Sequence, residues 1–192
     1  MIRIAILGEI GSGKSHIAKM FGYPVFNADH EVLKIYNNSN KCYKKLNKAL
    51  PKYIISFPIK KKELLEAISS NKQNLKKISK IIHPEIRNKM NIFIRKNKKK
   101  KFVILDIPLF LENKINKKND ILIFVKAKKK DINKRLKKRV SFNPKIYKQL
   151  KKVQFSLEFK RKKSNYIIKN NFINKLTKKS VKNILKRVLL NA

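Results

Sequence analysis

The sequence has few of the residues that build disulfide-bonded, zinc-binding or membrane-spanning proteins. Cys42 is the single cysteine among 192 residues, so the chain forms no internal disulfide and no cysteine zinc cluster. The three histidines show no metal-ligand spacing. No stretch approaches the roughly 20 apolar residues of a transmembrane helix, and the apolar run at residues 2–7 is too short for a signal peptide. These absences predict a soluble, cytoplasmic protein without a membrane partner.

Acidic residues are also scarce. The chain has 11 acidic and 51 basic residues, which gives a formal net charge of +40 at pH 7. All but seven of the basic residues are lysines, spread over nearly every segment together with many Asn and Ile. Because specific nucleic-acid readers favour arginine for bidentate contacts, this pattern favours a compositional bias toward lysine. Non-specific polyanion binding is expected, and no specific nucleic-acid partner is.

Glycine is scarce too, but its distribution is informative. Three of the four glycines lie in the segment Gly-Glu-Ile-Gly-Ser-Gly-Lys-Ser at residues 8–15, which matches the phosphate-loop pattern G-x-x-x-x-G-K-[ST]. An apolar run precedes this segment and an amphipathic helical pattern begins within it. Without a Cβ, Gly8, Gly11 and Gly13 let the backbone turn sharply and approach a phosphate chain closely. The segment therefore predicts a nucleotide-binding loop.

The polar residues of this loop suit ATP and Mg²⁺. The backbone N–H groups of the loop, including that of Ser12, would face the phosphates together with the start of the helix. Lys14 is long enough to reach the β- and γ-phosphate oxygens, and the Ser15 hydroxyl is the predicted Mg²⁺ ligand. The motif alone does not separate kinases from GTPases, ATPases or helicases.

Apolar runs and helical patterns alternate along the chain, which indicates an α/β fold with a parallel sheet covered on both faces. The predicted strands are residues 2–7, 24–27, 102–106, 121–125 and 166–168. Helices are predicted for residues 14–21, 29–50, 84–96, 144–163 and 175–190, and one or two lysine-rich helices for residues 60–83. Pro84 is expected in the first turn of its helix, and Asp131 is expected to cap another helix that runs to Arg139.

Two carboxylates follow predicted strands, at the edge where α/β sheets bind ligands. Asp29 lies just after the second strand and Asp106 ends the third. Either can accept a proton from an attacking hydroxyl or help to hold a metal ion. Ordinary structural roles stay open, since Asp29 also suits a helix N-cap and Asp106 a turn.

Two of the seven arginines, Arg135 and Arg139, are one helical turn apart in a chain that otherwise uses lysine. The planar guanidinium group is suited to clamping phosphates. The alternative interpretation is a solvated helix face.

With these residues in view, the chain resembles the dephospho-coenzyme A kinases from residue 4 to about residue 172. The similar segments are the phosphate loop at 11–15, Phe-Asn-Ala-Asp at 26–29, Ile-His-Pro at 82–84, Asp-Ile-Pro-Leu-Phe-Leu-Glu at 106–112, the lid residues within 135–158, and Ile-Ile-Lys-Asn at 167–170. The His-Pro and Pro-Leu segments are far more specific than the phosphate loop.

The resemblance implies a three-layer, nucleoside-monophosphate-kinase-like P-loop fold with a parallel, five-stranded core sheet. The chain would be one kinase domain over residues 1–192, with a helical CoA-binding subdomain at about 51–95 and a lid at about 139–154. The implied reaction moves the γ-phosphoryl group of ATP to the ribose 3′-hydroxyl of dephospho-CoA, in the last step of coenzyme A biosynthesis.

The resemblance also implies roles for single residues. Asp29 would be the catalytic base, with Lys14 and Arg139 stabilising charge. The residues expected to bind ATP are Gly8, Gly11, Ser12, Gly13, Lys14, Ser15, His16, Arg135 and Asn170. The residues expected to bind the acceptor are Asp29, His83, Asp106 and Leu109. ATP and dephospho-CoA are the expected small-molecule partners, and the oligomeric state is left undetermined.

The chain departs from the family pattern at several positions. Leu7 and Glu9 stand where the family usually has Thr and Gly, and Asn27 replaces an Asp. His16 replaces a Ser or Thr, and the segment ending at Phe172 lacks the usual trailing Gly. Three alternatives therefore stay open: another nucleotide or nucleoside kinase, a P-loop ATPase stimulated by nucleic acid, and a non-catalytic descendant.

Overall fold

The computed structural model describes residues 1–138 and 143–190. The chain divides into two compact units. The sheet unit is formed by described residues within Met1–Asn27, Asn97–Phe142 and Lys151–Ala192. The helical unit is formed by Ala28–Lys96 and Asn143–Leu150.

The sheet unit is built on five parallel strands in the order β2-β3-β1-β4-β5. The strands are β1 Ile2–Gly8, β2 Val25–Asn27, β3 Phe102–Asp106, β4 Ile121–Ala127 and β5 Tyr166–Asn170. All five residues of β3 are buried, as expected for a central strand covered on both faces. The predicted parallel, five-stranded sheet and α/β fold class are confirmed.

Helices connect these strands and form the helical unit. Their bounds are α1 Lys14–Met20, α2 Ala28–Asn38, α3 Asn40–Ala49, α4 Lys61–Ser70, α5 Lys72–Lys96, α6 Lys129–Lys137, α7 Pro144–Lys152, α8 Leu157–Lys162 and α9 Asn174–Leu190. In the described parts of the chain, no helix is long and apolar enough to cross a membrane.

The core of the sheet unit follows from the two periodicities of strands and helices. Alternate residues of the strands pack against one face each of α1 and α9. The buried cluster is Ile4, Ile6, Ile17, Ala18, Phe21, Phe102, Ile104, Ile123, Val125, Ile168, Val181, Ile184 and Val188. Complete burial of one Val, Ile or Phe side chain contributes about 1.5–3 kcal/mol to the stability of the fold. This cluster fixes the strand from which the phosphate loop emerges.

The helical unit is organised around α5, which contacts α2, α3 and α4. Ile78, Ile82, Ile86 and Met90 recur every four residues along α5 and are all buried. This stripe runs through Pro84, which lies inside the helix. The predicted helix start at Pro84 is therefore wrong, because burial of a continuous apolar stripe outweighs the loss of one backbone hydrogen bond at proline.

Three other helix predictions also need correction. The predicted helix over 29–50 is two helices, because Ser39 ends the first and caps the second by accepting a hydrogen bond from Cys42 N at 3.3 Å. The predicted helix over 144–163 is also two, and Ser156 caps the second. Asp131 is not a cap, since α6 begins after Lys128 and Asp131 lies in its first turn.

Candidate active site

The loop between β1 and α1 adopts backbone conformations that require glycine. Gly8, Gly11 and Gly13 have φ values of +146°, +88° and +92°. A Cβ at Gly8 would lie 2.7 Å from the carbonyl oxygen of Val125, and one at Gly13 would collide with the Asn170 side chain. Both dihedral angle and space therefore exclude larger residues, so the loop is a close-packed backbone turn at the carboxyl end of β1.

Lys14 is held across this loop. Its ammonium group donates hydrogen bonds to the carbonyl oxygens of Gly8 at 3.2 Å and Glu9 at 2.9 Å. The carbonyl of Glu9 also accepts from the backbone N–H of Ser12 at 3.1 Å. The Ser12 hydroxyl is buried and has no hydrogen-bond partner among the described residues. A cation and an unsatisfied hydroxyl therefore lie together in the loop, which suits the binding of an anion.

Ser15 and His16 follow in the first turn of α1, and both are exposed. His16 Nε2 lies 2.8 Å from Asn174 Oδ1 at the start of α9. Ser15 thus presents a hydroxyl to solvent beside Lys14, whereas the His16 ring is engaged by α9.

Asp106 and Asn27 meet at the carboxyl edge of the sheet. They are register partners on β3 and β2, and Asn27 Nδ2 donates to Asp106 Oδ2 at 2.5 Å. Asp106 is only 2% exposed. Because β3 also pairs with β1, this oriented carboxylate and the phosphate loop lie at the same edge of one sheet.

The other predicted acceptor-binding residues lie on two helices and in the turns after β3. Asp29 lies in the first turn of α2, which begins at Ala28, so the alternative role as N-cap is not observed. His83 is half-buried on α5, and burial lowers its pKa, as does the nearby charge of Arg87. Leu109 is half-buried in the turns after β3. The roles of these three residues in binding stay predictions.

Asn170 ties the end of β5 to the phosphate loop. Its Nδ2 donates to the Ser12 carbonyl at 2.8 Å. Its Oδ1 accepts from Phe172 N at 3.0 Å and from the Thr177 hydroxyl at 3.4 Å. The predicted ATP-binding residues Ser12, Gly13 and Asn170 are therefore brought together.

Of the two arginines predicted to clamp phosphates, Arg135 lies within the described residues. Arg135 is exposed on α6, and its Cζ lies 4.5 Å from the centroid of the Phe172 ring. Arg139 lies outside the described residues, so its role stays a prediction.

Two ion pairs of the sheet unit were not anticipated. Glu9 Oε1 lies 3.6 Å from Lys151 Nζ at the end of α7. Glu112 Oε1 lies 2.7 Å from Lys160 Nζ on α8 and accepts from Phe155 N at 2.9 Å. Lys160 is 1% exposed. The sequence pointed to these ion pairs only through Glu9, which stands at a usual glycine position, and Glu112, which ends the Asp-Ile-Pro segment.

The residues present fit a Mg²⁺ ion that is held by few protein atoms. The described residues contain no group of three or more His, Cys, Asp or Glu side chains placed to hold a metal. Mg²⁺ in phosphate sites is usually held by one or two protein oxygens, with phosphates and water completing the shell. The exposed Ser15 hydroxyl is such an oxygen.

Comparison with known proteins points to one family. The family model described as Dephospho-CoA kinase matches residues 2–175. A Wolbachia pipientis relative named Dephospho-CoA kinase is 31% identical, and the alignment covers 98% of each chain. A Bartonella henselae relative of the same name is 30% identical, again over 98% of each chain.

Solved structures agree with the fold. The crystal structure of TT1252 from Thermus thermophilus is similar with a TM-score of 0.73 and 26% identity, covering 99% of this chain and 97% of that one. Shikimate kinase from Acinetobacter baumannii, in complex with shikimate, gives a TM-score of 0.53 at 13% identity, covering 100% and 94%, which supports the fold alone. The family match over most of the chain and the full-length relatives together show that this chain belongs to the dephospho-CoA kinase family of ATP-dependent phosphotransferases.

Proposed function

We propose that the chain carries out the reaction of its family, the transfer of the ATP γ-phosphoryl group to the ribose 3′-hydroxyl of dephospho-CoA. The observation that carries the proposal is the close-packed loop at the end of β1, with the Lys14 ammonium held across the carbonyls of Gly8 and Glu9. This loop lies in a chain whose family is defined by that transfer.

In this proposal the loop binds the ATP phosphates. Backbone N–H groups between Gly8 and Ser15 donate to phosphate oxygens. Lys14 exchanges its contacts with loop carbonyls for contacts with the β- and γ-phosphates. Since phosphoryl transfer spreads negative charge over the transferred oxygens, a fixed cation there stabilises the transition state without reorganisation. Arg139 is proposed to supply a second positive charge.

Asp29 is proposed as the general base. Its carboxylate takes the proton of the 3′-hydroxyl while that oxygen forms a bond to the γ-phosphorus. The bond between the γ-phosphorus and the β–γ bridging oxygen breaks, and ADP leaves. Most of the acceleration in such a reaction comes from positioning and charge stabilisation.

Mg²⁺ is proposed to bind through the Ser15 hydroxyl and to neutralise phosphate charge when bound. Asp106 is proposed to contact the acceptor, with its carboxylate oriented by Asn27. His83 and Leu109 are proposed to complete the acceptor site. His16 and Asn170 belong to the proposed ATP site, where Asn170 acts by fixing the loop backbone. The cytoplasmic location and the absence of a specific nucleic-acid partner stay predictions from the sequence.

The test is ADP formation by the purified protein with ATP and Mg²⁺, measured alone, with dephospho-CoA, with adenosine and AMP as other acceptors, and with DNA or RNA. We expect a strong rise with dephospho-CoA alone and formation of CoA in equal amount. Stimulation by nucleic acid without a response to dephospho-CoA would establish the ATPase alternative instead.

A matched pair of variants checks that the activity belongs to this loop. Lys14→Ala is expected to lower turnover about 100- to 1000-fold, as loss of one preorganised charge-stabilising group does. Lys19→Ala, which changes an exposed lysine on the same helix, should leave turnover unchanged. Equal activity of both variants and the wild type would remove the loop from the mechanism.

A further inference from the structure

Glu9 places a negative charge in the phosphate loop. It follows Gly8 directly, in a chain that has only 11 acidic residues. Because the phosphates of ATP are themselves negatively charged, a carboxylate in this loop opposes their binding unless a cation compensates it. The Glu9 side chain is only 17% exposed, so the solvent screens its charge incompletely. The loop therefore binds ATP well only if a positive charge lies close to Glu9.

Lys151, near the end of α7, supplies such a charge. Its Nζ lies 3.6 Å from Glu9 Oε1, and 55% of the lysine side chain is exposed. An ion pair with one largely exposed partner contributes little to the stability of a fold. The contact between Glu9 and Lys151 can therefore be exchanged for a contact with a stronger anion at a small cost in free energy.

Two ammonium groups meet at Glu9. Lys14 Nζ donates to the backbone carbonyl of Glu9 at 2.9 Å, and Lys151 Nζ lies beside the carboxylate of the same residue. In the proposed function, Lys14 moves onto the β- and γ-phosphates. Lys151 carries its ammonium group on a flexible four-carbon stem, so it can follow onto the same end of the phosphate chain. A terminal phosphate carries more negative charge than one carboxylate and attracts the ammonium group more strongly.

We propose that Glu9 holds Lys151 beside the phosphate loop before ATP binds and yields it to the γ-phosphate of bound ATP. Lys151 then discriminates ATP from ADP, which has no γ-phosphate. Glu9 is a positioning residue that competes with the γ-phosphate for the same ammonium group. The inference rests on the proposed function, because it requires a nucleotide on the loop.

A simpler role for Lys151 makes a different prediction. A lysine that only screens Glu9 matters as long as Glu9 is charged, and it loses its effect once Glu9 is neutral. A lysine that contacts the γ-phosphate contributes to binding in both cases. Removal of Lys151 from a chain with a neutral residue 9 therefore separates the two roles.

The test compares two nucleotides that differ in the γ-phosphate. Binding of ADP and of β,γ-imido-ATP, which keeps the γ-phosphate without transferring it, is measured with Mg²⁺ by calorimetry on the full chain. In Glu9→Gln we expect the affinity for the ATP analogue to rise about two- to fivefold, the range of one exposed ion pair. In Lys151→Met it should fall about tenfold, as for one charge-assisted hydrogen bond. ADP affinity should change less in both variants.

The double variant Glu9→Gln/Lys151→Met gives the decisive comparison. We expect it to bind the ATP analogue several-fold more weakly than Glu9→Gln alone, because the contact with the γ-phosphate is lost in a loop that no longer carries the carboxylate. Equal affinities of the double variant and Glu9→Gln would overturn the inference, since Lys151 would then only screen Glu9.

Two further variants test whether the position of the charge matters. Lys152→Met removes an exposed lysine next to Lys151 on α7 and should leave the ratio of the two affinities unchanged. Lys151→Arg keeps a cation on a long side chain and should retain most of the preference for the ATP analogue. A change in the ratio for Lys152→Met as large as for Lys151→Met would overturn the inference.

Steady-state kinetics distinguish competition for Lys151 from structural support of the loop. In Glu9→Gln, KM for ATP should fall by the same factor as the gain in affinity, with kcat unchanged, because the γ-phosphate keeps its contact with Lys151 in the transition state. Weaker binding of the ATP analogue by Glu9→Gln would overturn the inference. If Glu9→Gln does not fold, Lys151→Met decides alone, since equal losses for the analogue and ADP would exclude a contact with the γ-phosphate.

The outcomes also separate this inference from the proposed function. The expected shifts in the affinity ratio, without any transfer to dephospho-CoA by the wild type, would overturn the reaction and retain the exchange of Lys151. Transfer to dephospho-CoA with an unchanged ratio in Lys151→Met would overturn the exchange alone. A wild-type chain that binds neither nucleotide would overturn both.

Discussion

The polar groups of the sheet unit and of the helical unit are positioned by different means. In the sheet unit, Asp106 and the phosphate loop lie at the ends of buried strands, where neighbouring strands fix the backbone. In the helical unit, Asp29 and His83 lie on helices, and their positions depend on how α2 and α5 pack. A buried strand end therefore specifies the position of a polar group more directly than a helix face does.

The units also differ in their buried ion pairs. The sheet unit contains Lys160–Glu112 at 2.7 Å and Arg3–Asp120 at 2.9 Å, all with little exposure. In the described helical unit, Lys34–Glu31 and Lys89–Glu31 are pairs with partly exposed lysines. Exposed pairs contribute little to stability, whereas breaking a buried pair is costly.

The largest effect is expected for Asp29→Asn, which tests whether a residue of the helical unit takes part in the reaction. Loss of a general base should lower kcat by about 10²- to 10⁴-fold, while ATP affinity is retained. Single-turnover kinetics and ATP binding measured side by side give the answer. Equal losses of rate and affinity would show that Asp29 supports binding instead.

The next largest effect is expected from breaking the buried ion pair Lys160–Glu112 of the sheet unit. Lys160→Met should lower the free energy of unfolding by about 3–5 kcal/mol, because it leaves the Glu112 carboxylate buried without its counter-charge. Urea denaturation measures the change. Lys162→Met, on the same helix but with an exposed ion pair to Glu158, should cost less than about 1 kcal/mol. Similar costs for both variants would refute the contrast between buried and exposed pairs.

A smaller gain is expected from Pro84→Ala in the helical unit. Proline lacks the N–H that a helix interior uses, so alanine should raise the free energy of unfolding by about 1–3 kcal/mol. Asn88→Ala is the control, since it changes only helix propensity on the exposed side of α5. A loss of stability in Pro84→Ala would mean that the packing of α5 needs the proline geometry.

The smallest effect is a pH dependence that belongs to the helical unit. Burial, and then the charge of Arg87, lower the pKa of His83 below its ordinary value of 6.5. The folded state therefore favours the neutral ring, so the stability is fully present above about pH 6.5 and is lost as the pH falls through the lowered pKa. His83→Gln should flatten the stability profile between pH 7 and 5. A profile identical to the wild type would assign the slope to other groups.

The strands and the phosphate loop could be read from the sequence because their signals are local. Predicted and observed bounds agree for residues 102–106, and the other strands differ only at their ends. The helices of the helical unit were harder to delimit. Ser39 divides one predicted helix because its side chain caps α3. Pro84 does not divide another, because the buried apolar stripe of α5 continues through the proline.

The candidate site shows the same contrast between features with local signals and features that depend on the fold. The sequence by itself determined the glycine loop, Lys14, the parallel sheet and the family, since each follows from short local segments or from the alternation of apolar runs and helical patterns along the chain. Only the tertiary structure decided that Asn27 orients Asp106, that Asn170 anchors Ser12, that Glu112 pairs with Lys160 and that Phe172 contacts Arg135. Apart from Phe172 and Arg135, these pairs join residues 48 to 158 positions apart, and all four depend on which strands and loops the fold brings together, which no local pattern encodes.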